Sequence, residues 1–171
     1  MSLVMNVAIV GSEEQYWGPE QKIKAMDFIR TILPFQNYHT VLVSGGCPRG
    51  GIDIWAEEIA DELEMGKLIH IPEINQWNSV GRIKGYKARN YDIAKDCDVL
   101  FCIEPEYKAT SPFTKYITSK DGKSKGRRSG GVWTFNRAYE MHKPCHMIII
   151  PVEGDYDHTQ STLMLKPSEM K

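Results

Sequence analysis

The stretch TVLVSGGCPRGGIDIWAEEIADELEMG, residues 40–66, decides the fold class of this chain. It begins with a short apolar run, residues 40–43, which is typical of a strand covered on both faces. Four glycines follow within residues 44–51, and apolar residues then recur at helical spacing up to Gly66, which suits a helix C-terminus. The stretch predicts a strand, a glycine-rich loop and a helix, whose apolar face is Ile52, Trp55, Ala56, Ile59, Ala60 and Leu63.

The same alternation extends over most of the chain. Further apolar runs, rich in Val, Ile and Leu, occupy residues 4–10, 67–71, 98–103 and 146–150. Three further segments with helical spacing separate these runs. The first extends from Pro19 to Pro34, which stops it, and the others cover residues 85–96 and 131–142. This alternation predicts a three-layer α/β fold with a central, mainly parallel sheet of about five to seven strands. The apolar faces of the three helices are Ile23, Met26, Ile29 and Leu33; Ala88, Tyr91 and Ala94; and Phe135, Ala138, Tyr139 and Met141.

The length of 171 residues suits a single domain over residues 1–171. The connection over residues 104–129 is longer than the others, polar and basic, and we interpret it as a loop insertion. Residues 152–171 show no clear period and predict an edge strand or a tail.

Composition excludes some broad classes of protein. Lys and Arg number 21 and Asp and Glu 22, so the formal net charge is −1. A nucleic-acid coat protein or a polybasic membrane binder needs a large cationic excess, so neither is indicated. No apolar run reaches the roughly 18–20 residues that span a bilayer, and no secretory signal is recognisable, so we expect no membrane partner.

The four cysteines, Cys47, Cys97, Cys102 and Cys145, form no CxxC pair. Structural zinc sites usually carry closely spaced pairs of ligands, so we predict no metal site. Reduced thiols in a cytoplasmic protein fit this pattern. We expect the thiols to be buried except that of Cys47, which lies in the glycine-rich loop.

Three loops should carry the chemistry, because ligands of open α/β sheets bind at the carboxyl ends of the strands. These are residues 11–14, 44–53 and 129–134. The glycines of residues 44–51 allow the backbone to approach a ligand, and the next helix N-terminus offers N–H groups to an anion. Arg49 can add a bidentate phosphate contact; a tight turn with a solvated arginine is the alternative. The loop has neither a GxGxxG nor a lysine-bearing P-loop motif, so a dinucleotide dehydrogenase or P-loop ATPase is not indicated.

Two further residues stand at predicted helix starts. Asp53 is either a carboxylate favoured by the helix dipole or a ligand of a ribose or of the loop itself. Thr134, after Gly130 and Gly131, is expected to offer its hydroxyl to a phosphate, unless this loop is a simple helix start. Arg49, Arg82, Arg89 and the cations of residues 115–128 are predicted to gather on this side of the sheet, which suits a small phosphate-bearing ligand.

Residues 43–56, VSGGCPRGGIDIWA, resemble the SGGARGVDxxA signature of the SLOG superfamily, with Cys47 and Pro48 in place of one small residue. This Rossmann-like group includes DprA/Smf and the LOG nucleotide hydrolases. Residues 88–94, ARNYDIA, resemble the RNxxM helix start of its YspA-like branch, and residues 96–102, DCDVLFC, resemble the strand that follows. Residues 130–134, GGVWT, resemble the GGxGT loop, and residues 7–12 resemble the opening strand and GSR loop, with Glu13 in place of arginine. The match spans about residues 4–150.

The resemblance implies a Rossmann-like fold, a nucleotide or nucleotide-derived ligand, and a homo-oligomer. It also places Arg137 where the LOG enzymes carry their catalytic glutamate, and Trp133 where they carry a glycine. The leading interpretation is therefore a sensor or ligand-binding module. The alternative is a hydrolase of a nucleotide N-glycoside or phosphoribosyl bond, with Glu13 or Asp53 as candidate catalytic carboxylate.

Single-stranded nucleic acid is the least favoured partner, because the overall charge is −1. Its motivation is the cations of residues 115–128, with Tyr107, Phe113 and Tyr116 nearby. Trp133, Trp17 and Tyr16 are candidates to stack on a base, although ordinary packing explains each more simply. The predicted ligand-binding residues are Gly11, Ser12, Ser44, Gly45, Gly46, Arg49, Gly50, Gly51, Asp53, Arg89, Asn90, Gly130, Gly131 and Thr134.

Overall fold

Strands and helices alternate along the chain in the computed structural model, which describes residues 3–34, 38–106, 129–152 and 162–164. The strands are β1 (Leu3–Gly11), β2 (Tyr38–Ser44), β3 (Gly66–Ile69), β4 (Val99–Pro105), β5 (Cys145–Ile150) and β6 (Thr162–Met164). The helices are α1 (Pro19–Ile32), α2 (Ile52–Glu62), α3 (Tyr86–Asp96) and α4 (Gly130–Glu140), and a 3-10 turn covers Glu14–Tyr16.

The strands form one sheet in the order β3-β2-β1-β4-β5-β6. The first five are parallel, and β6 pairs antiparallel with β5. The chain moves outward from β1 to β3 and then returns to the other side of β1 at β4, so the strand order reverses between β1 and β4. This confirms the predicted Rossmann-like α/β fold, and it opens a crevice at the carboxyl ends of those two strands.

Both faces of the sheet are covered, which explains why the strand sequences do not alternate between apolar and polar residues. In β1, Val7 and Ile9 pack against α1 and α2, whereas Ala8 and Val10 pack against α3 and α4. The other strands divide in the same way. The result is three layers with a core on each side of the sheet.

The inward face of α1 differs from the predicted one. Ile23 is 61% exposed, whereas Gln21, Ala25, Phe28 and Ile29 are buried. The Gln21 amide donates to the backbone carbonyls of Glu106 and Ile150 and thereby ties the helix to the ends of β4 and β5. A buried polar residue therefore holds a position that apolar spacing alone does not reveal.

Helix α3 shows the same effect more strongly. Tyr91, assigned to its apolar face, is 48% exposed, and the buried residues are Arg89, Asn90, Ile93 and Ala94. The prediction was wrong for Tyr91 because two polar side chains occupy the inner face, next to the crevice. Apolar periodicity marks the buried face only where that face is apolar.

The predicted insertion over residues 104–129 begins too early. Glu104 and Pro105 complete β4, and Glu104 is buried. Residues 107–128 lie outside the described residues, as do the basic cluster and the aromatic side chains predicted there. Within residues 152–171, the backbone of Thr162–Met164 forms β6. No helix in the described part of the chain is long and apolar enough to cross a membrane.

All four cysteines are free thiols. Cys97, Cys102 and Cys145 are buried and Cys47 is half-buried, which confirms the predicted burial. Burial raises the pKa of the Cys97 thiol to about 12 and that of Cys145 to about 11, so both remain protonated at neutral pH.

Candidate functional site

A cavity of about 250 Å³ opens at the carboxyl ends of the strands, where the strand order reverses. The residues that line it come from the loops after β1 and β2, from residues 75–77, from α3 and from the start of α4. The structure brings the following predicted residues together on its wall: Gly11, Ser12, Glu13, Arg49, Gly50, Asp53, Arg89, Asn90, Gly130, Gly131 and Thr134. Ser44, Gly45, Gly46 and Gly51 do not line it.

The first half of the β2–α2 loop wraps around a carboxylate of its own chain. The Ser44 hydroxyl donates to Glu57 Oε1 at 2.7 Å, and the Gly46 backbone N–H donates to the same oxygen at 2.9 Å. The N–H group of Gly46, which was expected to face a bound anion, is therefore already used. The second half of the loop, with Cys47, Arg49 and Gly50, is the part that reaches the cavity.

Three of the predicted glycines serve close packing between loops. A side chain at Gly51, where φ is 89°, would overlap the Ser12 carbonyl oxygen. A Cβ atom at Gly131 would lie 2.7 Å from the Cα atom of Gly11. These glycines let the β1 loop touch both helix N-termini directly, which draws the walls of the cavity together.

Arg89 is the central cation of the site and is 6% exposed. Its Nη1 atom lies 3.6 Å from Asp53 Oδ2 and donates to the Gly45 carbonyl oxygen. Its Nε atom is buried and has no hydrogen-bond partner among the described residues. An unmet buried donor costs about 1–3 kcal/mol, so an acceptor brought within reach of Nε would stabilise this part of the site.

Asp53 lies in the first turn of α2 and is buried beside Arg89. Burial raises the pKa of its carboxyl from 3.8 to about 6. The charge of Arg89 opposes this rise in pKa, and the charge of Glu57 adds to it. Near neutral pH, Asp53 is thus an ionised carboxylate close to its titration range, in contact with the cavity.

This raised pKa predicts a pH-dependent stability. A carboxyl whose pKa rises on folding stabilises the folded state below the unfolded pKa, near 4, and loses that effect as pH rises through 6. Between pH 4 and 7 we expect the wild type to lose about 2–3 kcal/mol of unfolding free energy relative to Asp53→Asn. Urea denaturation at each pH measures the difference. Glu58→Gln, which changes an exposed acid of the same helix, is the control. The assignment is contradicted if the difference in unfolding free energy between wild type and Asp53→Asn does not change with pH.

Arg49 stands at the rim of the cavity, where it pairs with a carboxylate. Its Nη1 atom lies 3.1 Å from Glu13 Oε1, and its side chain is 58% exposed. The charged residues that line the cavity are thus Arg49 and Arg89 against Glu13 and Asp53. Arg82 is exposed and does not line it. The predicted gathering of cations is therefore balanced by carboxylates in the described part of the site.

The start of α4 supplies backbone donors to the wall. The Ser129 hydroxyl accepts from the Val132 N–H at 3.0 Å and caps the helix. Gly130 and Gly131, in the first turn, line the cavity, where N–H groups have no partner within the helix. The Thr134 hydroxyl donates to the Gly130 carbonyl oxygen at 2.7 Å. The hydroxyl proton predicted for a phosphate is therefore directed into the helix.

A buried carboxylate beneath the cavity was not predicted. The hydroxyls of Ser12 and Ser129 both donate to Glu104, at the end of β4. Glu104 thus links the β1 loop to the start of α4. The available signal was an acidic residue directly after the apolar run 98–103, at a position predicted to begin the long loop.

A second missed feature is the wall formed by Asn75, Gln76 and Trp77. Backbone hydrogen bonds from Tyr86 N–H to the Gln76 carbonyl and from Lys87 N–H to the Trp77 carbonyl, at 2.8 and 2.9 Å, fix it to the start of α3. No motif marked this segment. Trp77 and Tyr86 are the aromatic residues on the wall.

The aromatic residues considered for stacking lie elsewhere. Trp17 packs edge-on against Trp55 at 5.5 Å, and neither it nor Tyr16 nor Trp133 lines the cavity. Arg137, at the position of the LOG glutamate, pairs with Glu140 at 2.6 Å and lines a separate groove between α3 and α4. The chemistry of the cavity therefore cannot use position 137.

Comparison with known proteins supports the fold. No family model matches the chain, and no curated protein matches it. Among solved structures, it is similar to the X-ray structure of TM1055, a structural genomics target, with a TM-score of 0.54 and 17% identity over 82% of this chain and 72% of that one. It is also similar to the molybdenum cofactor carrier protein MCP from Chlamydomonas reinhardtii, with a TM-score of 0.54 and 15% identity over 84% of this chain and 76% of that one. At identities this low, the structural similarity shows a shared Rossmann-like fold and nothing about the ligand.

Proposed function

We propose that this chain binds a nucleotide or a nucleotide-derived phosphate in the cavity, as a sensor or ligand-binding module. The observation that carries the proposal is the buried Nε atom of Arg89, which lacks a partner among the described residues of a cavity wall. The first turn of α4 lies on the same wall and favours an anion through its N–H groups and its dipole. Arg89 and the first turn of α4 would then both donate to the anionic part of the ligand.

The size and lining of the cavity favour a small ligand. Its volume of about 250 Å³ lies just below the usual range of small-molecule sites, which is roughly 300–1,000 Å³. This volume suits a mononucleotide better than a dinucleotide. Trp77 and Tyr86 offer aromatic surface for a base, and Asn90 offers an amide.

Two further considerations support a binding role. The similar structure of MCP belongs to a protein described as a cofactor carrier, so a protein of this architecture can hold a small ligand. The resemblance to the SLOG superfamily favours a nucleotide as that ligand. Membership of the YspA-like branch, self-association and a cytoplasmic location stay predictions for this chain. Sedimentation analysis of the purified chain tests self-association.

Isothermal titration with AMP, GMP, CMP, UMP and ADP-ribose tests the proposal. We expect one or more of them to bind, and Arg89→Gln to weaken that binding by about 10–100-fold, because a charge-assisted hydrogen bond is lost. Arg82→Gln, an exposed arginine outside the cavity, should change the affinity less than about twofold.

Folding controls keep this test decisive. Circular dichroism and thermal unfolding establish that each variant is folded, and Asn90→Ala probes the same wall if Arg89→Gln does not fold. Failure of every compound to bind, or equal affinities in wild type, Arg89→Gln and Asn90→Ala, overturns the proposed site.

We propose hydrolysis of a nucleotide N-glycosidic bond as the second candidate function. Asp53 favours it, because a buried cavity carboxyl with a pKa of about 6 is suited to exchange a proton near neutral pH. Release of free base from the same nucleotides, measured by chromatography, is expected to disappear in Asp53→Asn. Glu13→Gln tests the other carboxylate. Absence of base release from all of them eliminates this function for those substrates.

A further inference from the structure

We propose that an anionic group binds beside Arg89 together with a proton, which the Asp53 carboxylate takes up from solvent. This inference rests on the proposed function and adds a property of the same site. Asp53 then influences which ligand charge the site accepts. The cavity binds the negative charge of the ligand, and the proton neutralises the negative charge of Asp53. No covalent bond changes, and the proton comes from the buffer.

A ligand anion beside Arg89 would share one guanidinium with Asp53. Nη1 of Arg89 faces Asp53 Oδ2 at 3.6 Å, while the buried Nε atom has no hydrogen-bond partner among the described residues. Arg89 and Asp53 are both buried and both line the cavity. An anion accepted at Nε therefore shares its cation with Asp53, in a region where water screens charges poorly.

The surroundings of Asp53 offer no second free cation in the described part of the chain. Arg49 is committed to Glu13 at the rim. The titratable and charged groups around Asp53 are Glu13 from the β1 loop, Cys47 from the β2–α2 loop, Glu57 from α2, Arg89 from α3 and Cys102 from β4. Glu13 is matched by Arg49, so Arg89 alone faces Asp53, Glu57 and an added anion, which leaves an excess of negative charge.

Protonation of Asp53 relieves this excess. The Asp53 pKa of about 6 in the free protein makes the carboxyl mostly ionised at pH 7. An anion at Arg89 repels the Asp53 carboxylate and weakens the attraction between Asp53 and Arg89. Both effects raise the pKa of Asp53 further. The bound form then holds the proton that the free form lacks. By linkage, affinity falls as pH rises between about 6 and 8, by up to tenfold per pH unit.

The test requires a probe that does not itself titrate in this range. Phosphate esters take their second proton near pH 6, whereas a sulfate ester stays singly charged, so adenosine 5′-sulfate is the main probe and AMP the comparison. Titration calorimetry at pH 7 in buffers of different ionisation enthalpy counts the protons. We expect uptake of at least about 0.4 proton per adenosine 5′-sulfate bound, and none in Asp53→Asn.

The control is Glu58→Gln, which removes an exposed acid of α2 and should retain the proton uptake. Carbon-13 NMR of the Asp53 carboxyl in the wild type provides a measurement that needs no variant. Its titration midpoint should rise by at least one pH unit on saturation with adenosine 5′-sulfate. Binding of the probes without proton uptake overturns this inference and leaves the proposed function intact. Failure of both probes and of the nucleotide panel to bind overturns both.

Discussion

Replacing Glu104 by alanine is expected to lower the free energy of unfolding by about 3–5 kcal/mol, because two buried hydroxyls lose their acceptor at about 1–3 kcal/mol each and a void is left behind. The hydroxyls belong to Ser12, in the β1 loop, and Ser129, the N-cap of α4. The substitution should therefore also loosen the cavity wall. Urea denaturation followed by tryptophan fluorescence measures the stability, and nucleotide titration measures the site.

Glu58→Ala is the matched control for this prediction, because it removes an exposed glutamate from α2. A change within about 0.5 kcal/mol is expected there. Glu104→Gln should lie between the two, since the amide retains one acceptor oxygen for the two hydroxyls. A loss below 1 kcal/mol in Glu104→Ala would show that the hydroxyls find other partners.

Gly11→Ala is expected to destabilise the chain by about 3 kcal/mol or more, at or above the usual cost of overpacking a core. A Cβ atom at Gly11 would overlap the Ile103 carbonyl oxygen of the neighbouring strand β4 and press on the Ile52 side chain, 2.7 Å away. The Ile103 oxygen belongs to the backbone, so rotation of a side chain cannot relieve that overlap. The β1 and β4 ends must separate, and these ends carry the cavity.

Gly66→Ala in strand β3 is the matched control for this prediction. Its Cβ atom would make an ordinary contact with Val41 at 3.5 Å, and its φ is not in the positive range. We expect no loss, or a gain of about 0.4–1 kcal/mol from reduced freedom of the unfolded chain. Equal thermal stability of the two variants would refute the role given to Gly11.

The layered fold was open to prediction because it depends on local patterns. The apolar runs of β1, β2, β4 and β5 are unbroken because helices cover both faces of the sheet. Likewise, Pro19 begins α1 as predicted. Patterns of this kind need no knowledge of distant partners.

Local patterns failed where a buried polar side chain bonds to a residue distant in the sequence. Gln21 turns α1 toward the ends of β4 and β5, and Arg89 turns α3 toward Asp53. Both positions look solvent-exposed in a helical projection of apolar residues. Their burial is stabilised by hydrogen bonds and charges from other elements, which no spacing rule within one helix records.

The candidate site divides along the same line. The meeting of three loops at the carboxyl edge of a parallel sheet was predictable, since the alternation of strands and helices makes the strands parallel. Only the tertiary structure decided what each loop does there. Gly46 faces Glu57 of its own chain, Arg49 pairs with Glu13, and the buried Nε atom of Arg89 has no partner among the described residues. The physical reason is that hydrogen bonds and ion pairs are settled by contacts within a few ångströms in space, between residues that the chain places far apart in sequence.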